Sequence, residues 1–95
     1  MVWFVYMLRC SDGSLYTGYT DDVQRRLSVH NSGKGAKYTR SRLPVEVVYR
    51  EEVPDKSAAM RREAAIKKLT RKQKMLLMET AEQETGYMDE IKGSL

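Results

Sequence analysis

The chain predicts an α+β domain, a three-stranded, mainly antiparallel sheet flanked by helices in the order β-β-α-β-α-α. Three observations carry this. Two runs rich in β-branched and aromatic residues, 2–10 and 15–20, lie close together with Ser11-Asp12-Gly13-Ser14 between them. A third, 45–49, follows Pro44 and reads as a strand by composition and period. The remaining chain carries amphipathic spacings of good helix formers. At 95 residues the length fits one domain, read as residues 1–83, with 84–95 as a loose acidic C-terminal tail.

The first two strands form a hairpin with two competing turns. A two-residue Asp12-Gly13 turn sets Tyr6 across from Tyr19 and puts Tyr6 and Tyr16 on opposite sides of the sheet. A three-residue loop with Gly13 in the left-handed conformation sets Leu8 across from Tyr16 and Tyr6 from Gly18, so that both tyrosines share a side. Asp21-Asp22-Val23-Gln24 then reads as a helix start, an acidic cap with a Gln three residues later able to reach back to it. Val23, Arg26, Leu27 and His30 follow on one helical face. Asn31-Ser32-Gly33 ends that helix, and 33–43 reads as a polar loop carrying Lys34, Lys37, Tyr38, Arg40 and Arg42. Pro54-Asp55 breaks the chain before a helix over 57–69. Residues 70–83 continue as a further amphipathic helix, with Met75, Leu76 and Met78 as core contacts.

Composition removes several function classes. Hydrophobic residues make up 41% and charged residues 32% of the chain, a globular balance rather than a disordered one. The single cysteine, Cys10, leaves no internal disulfide partner, and with one histidine it cannot build a zinc site. The apolar run near the start is far shorter than the about 20 residues that cross a bilayer, and no basic n-region precedes it. The expectation is a cytoplasmic protein without a membrane or disulfide partner.

Charge is concentrated rather than spread. Residues 1–24 hold one base and three acids, residues 25–74 fifteen bases and five acids, and residues 75–95 one base and five acids. A basic block inside a folded region fits either a solvated surface or a polyanion partner, since clustered Lys and Arg release counterions from phosphates. Within 56–78, Glu63 is the only acid against eight bases, and it borders the apolar stripe through Ile66. It suits an i,i+4 pair with Lys67, or a hard divalent cation that needs one or two carboxylates when phosphate and water supply the rest. Singly, Tyr6 and Tyr16 suit a strand core, Arg26 a helix surface and His30 a packing role.

Together these residues resemble the GIY-YIG nuclease domain, in particular its small standalone members of the UPF0213 family. Val5-Tyr6-Met7 stands where the first eponymous triplet does, without its glycine and isoleucine, and Tyr16-Thr17-Gly18 where the second does. Arg26 comes eight residues after Gly18 and His30 four further on, as in the family's helix. Gly33-Lys34-Gly35-Ala36-Lys37-Tyr38-Thr39-Arg40 is similar to the loop of the small subfamily, and Arg61-Arg62-Glu63-Ala64-Ala65-Ile66 to its glutamate helix. The resemblance spans residues 2 to about 78.

It implies a metal-dependent DNA endonuclease, with RNA not excluded. Tyr6 would be the general base, Tyr16 would position water or phosphate, and Arg26 would hold the scissile phosphate. His30 would assist proton transfer, and Glu63 would hold one Mg²⁺ or Mn²⁺ per site. With this resemblance, the basic block offers nucleic-acid contacts through Arg25, Lys34, Lys37, Tyr38, Arg40, Arg42 and Lys67, and clustered phosphate contacts predict weak, salt-sensitive and largely sequence-independent binding. Some family members use an asparagine after the glutamate, and the only asparagine here is Asn31. Two tyrosines in one site demand the three-residue loop. The alternatives are a nucleic-acid-binding module without turnover, with Tyr38 stacking on bases, and a protein-interaction domain.

Overall fold

Strands β1 (Trp3–Arg9), β2 (Leu15–Thr20) and β3 (Glu46–Val53) form one antiparallel sheet in the order β2-β1-β3. The helices are α1 (Val23–Asn31), the short α2 (Lys37–Arg40), α3 (Lys56–Lys67) and α4 (residues 71–80). This computed structural model describes residues 2–80. The tail expected over 84–95 and the end of the last helix at 81–83 lie outside the described residues. Among the described residues no helix is long and apolar enough to cross a membrane.

The β1–β2 connection is the three-residue loop. Cys10 donates its N–H to the Ser14 carbonyl at 2.9 Å, and Gly13 donates to the Cys10 carbonyl at 2.9 Å. Gly13 takes φ +84°, a region in which a Cβ would crowd the backbone. The resulting register sets Leu8 against Tyr16 and Tyr6 against Gly18, so Tyr6 and Tyr16 lie on the same face.

Alternation along β1 gives the sheet two buried faces. Tyr6, Leu8 and Cys10 pack with Val23, Leu27 and Val45 on the α1 side. Val5 and Met7 pack with Ala59 and Ile66 of α3 and Met78 of α4 on the other. A bulge in β3 keeps both faces in step: Met7 faces Tyr49 and Leu8 faces Val47, with Val48 as the extra residue. Asn31 ties the end of α1 to the start of β3. Its Nδ2 donates to the Val45 carbonyl at 3.0 Å, and its Oδ1 accepts the Val45 N–H at 2.8 Å.

Several expectations are corrected. The third strand runs on to Val53, because β1 offers partners along its whole length, and Glu51 is satisfied within it by the Tyr49 hydroxyl and by Arg62 Nε, both at 2.8 Å. Asp22, not Asp21, caps α1, accepting the Arg25 N–H at 3.1 Å. That leaves Gln24 out of the capping position, and Thr20 Oγ1 instead accepts the Asp22 N–H at 3.1 Å. The segment 33–43 is not a continuous loop: α2 interrupts it and buries Thr39. The helix expected over 57–69 begins one residue earlier and ends at Lys67, with Asp55 as its cap.

In α4, Met78 is buried, but Met75 is 43% and Leu76 53% exposed. The rotation of α4 is fixed from its start. Thr70 and Gln73 form a reciprocal capping box, and Arg71 donates to the Gly13 carbonyl at 3.0 Å. Leu77 and Met78 then turn inward. Replacing Met78 by Ala should cost about 2–5 kcal/mol of unfolding free energy, whereas Leu76→Ala should stay within about 0.5 kcal/mol. Urea titration of the two variants measures this directly.

Candidate active site

The site forms where β1, β2, α1 and α2 meet on the α1 side of the sheet. Tyr6, on the central strand, points to the α1 side and is 2% exposed. Its phenol lies over Gly18: a Cβ there would stand 2.6 Å from the Tyr6 oxygen. The second motif glycine is therefore the vacancy that admits the phenol. The Tyr6 hydroxyl lies 3.1 Å from Nε2 of His30, which is fully buried on α1.

The other imidazole nitrogen, Nδ1, lies 2.9 Å from Thr39 Oγ1. The Thr39 hydroxyl donates to the Ala36 carbonyl at 2.9 Å. Gly35 backs the ring closely, since a Cβ on it would come within 2.9 Å of the His30 Cα. The Tyr16 ring meets the His30 edge at a centroid distance of 5.3 Å and an interplanar angle of 61°. Tyr38 stacks on Tyr16 at 6.2 Å and 27°.

Arg26 lies one turn before His30 on the same helical face, and its charge acts on both partners of the buried pair. Burial raises the Tyr6 phenol above its ordinary pKa. The Arg26 guanidinium beside it works against that rise, while the Tyr16 phenol and the Glu63 carboxylate add to it. At neutral pH the phenol keeps its proton. Burial, and then Arg26, depress the His30 pKa, so the imidazole is neutral.

Glu63 stands on the helix across the sheet, and its carboxylate is the smallest of the named influences on the Tyr6 phenol. On α3 it lies between Ala59 and Ile66, at i+4 from the first and i−3 from the second, so it shares their inward stripe. Its side chain is 18% exposed and pairs with Lys67 at 3.2 Å. Among the described residues no group of three His, Cys, Asp or Glu side chains could hold a metal ion. Glu63 alone fits a hard cation that keeps most of its water and takes phosphate oxygens for the rest.

The expected nucleic-acid residues divide by their partners. Arg25 pairs with Asp21 at 3.2 Å, and Lys67 pairs with Glu63. Arg42 donates to Asp12 Oδ2 at 3.0 Å and to the Tyr38 carbonyl at 2.8 Å, with its guanidinium carbon 4.0 Å from the Tyr38 ring centroid. Arg40 donates from Nε to the Gly35 carbonyl at 3.2 Å. Lys34, Lys37 and Tyr38 are exposed. Thr39 and Gly35, both in contact with His30, are the members of the site that sequence reasoning missed. A threonine among lysines and arginines gives no sign of burial, and only the length of the loop back to α1 could have raised the question.

The chain belongs to the GIY-YIG catalytic domain family, whose model matches residues 2–76. Its relatives are UPF0213 proteins. That of Streptococcus sanguinis strain SK36 is 62% identical over 72 residues, covering 76% of this chain and 83% of the relative. That of Oceanobacillus iheyensis is 54% identical over 81 residues, covering 85% and 94%. Among solved structures, the solution NMR structure of protein EF2693 from E. faecalis superposes with a TM-score of 0.60 at 47% identity over 87% of this chain and 88% of that one. The UPF0213 protein BH0048 from Bacillus halodurans gives 0.55 at 51% identity over 84% and 85%. Family membership points to nuclease chemistry on nucleic acid and to dependence on a metal ion.

A histidine held neutral in the fold makes stability depend on pH with a definite sign. As pH falls through the ordinary histidine pKa of about 6.5, the unfolded chain takes up a proton that the folded chain refuses, so stability present above that pH is lost below it. His30 is the only histidine. The drop in melting temperature between pH 7.5 and pH 5.5 should therefore be larger in the unmodified protein than in His30→Gln, as read by circular dichroism.

Proposed function

We propose that this chain is a metal-dependent DNA endonuclease in which Tyr6 and His30 act as one proton-accepting unit. The observation that carries it is the buried contact between the Tyr6 hydroxyl and His30 Nε2, with an arginine and a carboxylate close enough to act electrostatically on the same phenol. A raised phenol is a poor base alone. Tyr6 solves this by passing its own proton to neutral His30 as it receives one from the attacking water. The water oxygen forms the new bond to phosphorus as the bond to the leaving oxygen breaks; the leaving oxygen takes up a proton from bulk water, and the His30 imidazolium gives one back through Tyr6, so the protons balance.

The other side chains act on charge. Arg26 offers paired N–H donors to the non-bridging oxygens, where negative charge builds. Tyr16, held between His30 and Tyr38, orients the water or the phosphate through its hydroxyl. A hard divalent cation such as Mg²⁺ or Mn²⁺, held by Glu63 once Lys67 gives way, would supply positive charge for the leaving oxygen. DNA backbone contacts come from Arg25, Lys34, Lys37, Arg40, Arg42 and Lys67, with Tyr38 beside them.

The Glu63–Lys67 pair supports a second reading, a nucleic-acid-binding module in which the carboxylate is only a helix ion pair. The two readings part in one assay. Nicking of supercoiled plasmid in Mg²⁺ should fall by at least 100-fold in Arg26→Lys, which keeps the charge and loses the fork, and in Glu63→Ala. Plasmid affinity by gel shift should change less than about threefold in Glu63→Ala and weaken with rising salt. Undiminished nicking in both variants overturns the assignment, and binding without nicking by the unmodified protein leaves the binding module.

A further inference from the structure

We propose that Thr39 is a positioning residue that holds neutral His30 in the tautomer protonated on Nδ1, leaving Nε2 as the acceptor for the Tyr6 proton. The proposal deepens the nuclease reading and rests on it for its catalytic consequence, though not for the tautomer itself.

A threonine hydroxyl has one proton to give and lone pairs with which to accept. Here the proton is committed, because Thr39 Oγ1 donates to the Ala36 carbonyl at 2.9 Å. Toward His30 Nδ1, also at 2.9 Å, the same oxygen can only accept, so Nδ1 carries the imidazole hydrogen. A neutral imidazole has one N–H. Nε2 is then a bare lone pair facing the Tyr6 hydroxyl at 3.1 Å, and Tyr6 must be the donor. The polarity of the whole chain, from Tyr6 through His30 and Thr39 to Ala36, is set at its backbone end.

Burial raises the stakes of this arrangement. Tyr6 is 2% exposed, and His30 and Thr39 are 0% exposed, and an unmet buried donor among them is costly. The opposite tautomer would set an Nε2–H toward Tyr6 and require the Thr39 hydroxyl to turn to Nδ1, away from the Ala36 carbonyl, which the Thr39 and Arg40 amides also reach at 3.1 and 3.3 Å. Gly35 supplies the remaining constraint, since any side chain at that position would displace the imidazole. The helical turn of α2 orients Thr39, and that turn departs from Ala36 itself. Position 39 therefore influences proton transfer through His30 without meeting the phosphate.

Long-range proton–nitrogen correlation NMR on ¹⁵N-histidine-labelled protein at pH 8 tests this with one resolvable histidine. In the unmodified protein the spectrum should show the Nδ1–H pattern, the minor form in free histidine. Thr39→Ser should keep it, and Thr39→Val, similar in shape but without the hydroxyl, should shift His30 toward Nε2–H. Plasmid nicking should drop at least tenfold in kcat with little change in KM for Thr39→Val and recover in Thr39→Ser. An Nε2–H pattern in the unmodified protein overturns the proposal without any variant, as does an Nδ1–H pattern retained in folded Thr39→Val. Unmodified protein that nicks nothing while its tautomer follows position 39 supports the positioning role and sinks the nuclease reading.

Discussion

The contact between the Tyr6 hydroxyl and His30 Nε2 is the constraint around which this molecule is arranged. Two polar rings are buried in a domain of 95 residues, where an unpaired buried polar group would consume a large part of a stability of about 5–10 kcal/mol. Each ring is tolerated because the other is there. Their meeting requires the three-residue hairpin loop, which sets Tyr6 opposite Gly18, and two glycines that leave room for a phenol and an imidazole. Strand register, helix placement and backbone space thus converge on one hydrogen bond. A slip of one residue in the hairpin would turn Tyr6 toward α3 and leave His30 facing an apolar neighbour.

Much of this arrangement was legible in the chain because local rules fixed it. Gly13 in a tight loop, the alternation along β1 and the i,i+4 spacing of Arg26 and His30 determine side-chain directions over a few residues each. Glu63 stood out as the lone acid of a basic helix. What could not be read depends on contacts distant in sequence. The inward rotation of α4 follows from Arg71 reaching the hairpin tip, and β3 extends because its partner strand is long. The burial of Thr39 depends on a short helix folding back over α1. Asn31 shows the same limit in another form: its side chain brackets the Val45 backbone, a structural duty that its position in the chain does not announce.

The basic surface follows a related logic. Several of its cations already have acidic or carbonyl partners in the folded chain: Arg25 with Asp21, Arg42 with Asp12, Lys67 with Glu63. Such half-exposed pairs are weak because water and salt screen them, so an anionic partner could displace the native one. The stack of Arg42 on Tyr38 and of Tyr38 on Tyr16 runs from the surface to the edge of the His30 ring.

Glu63 comes from the helix on one side of the sheet, while Arg26 and His30 come from the helix on the other. The candidate set is thus divided between two layers on opposite faces of one sheet. Neither helix alone brings the carboxylate together with the guanidinium and imidazole, so the full set of charged and titratable groups exists only once both layers have docked on the sheet.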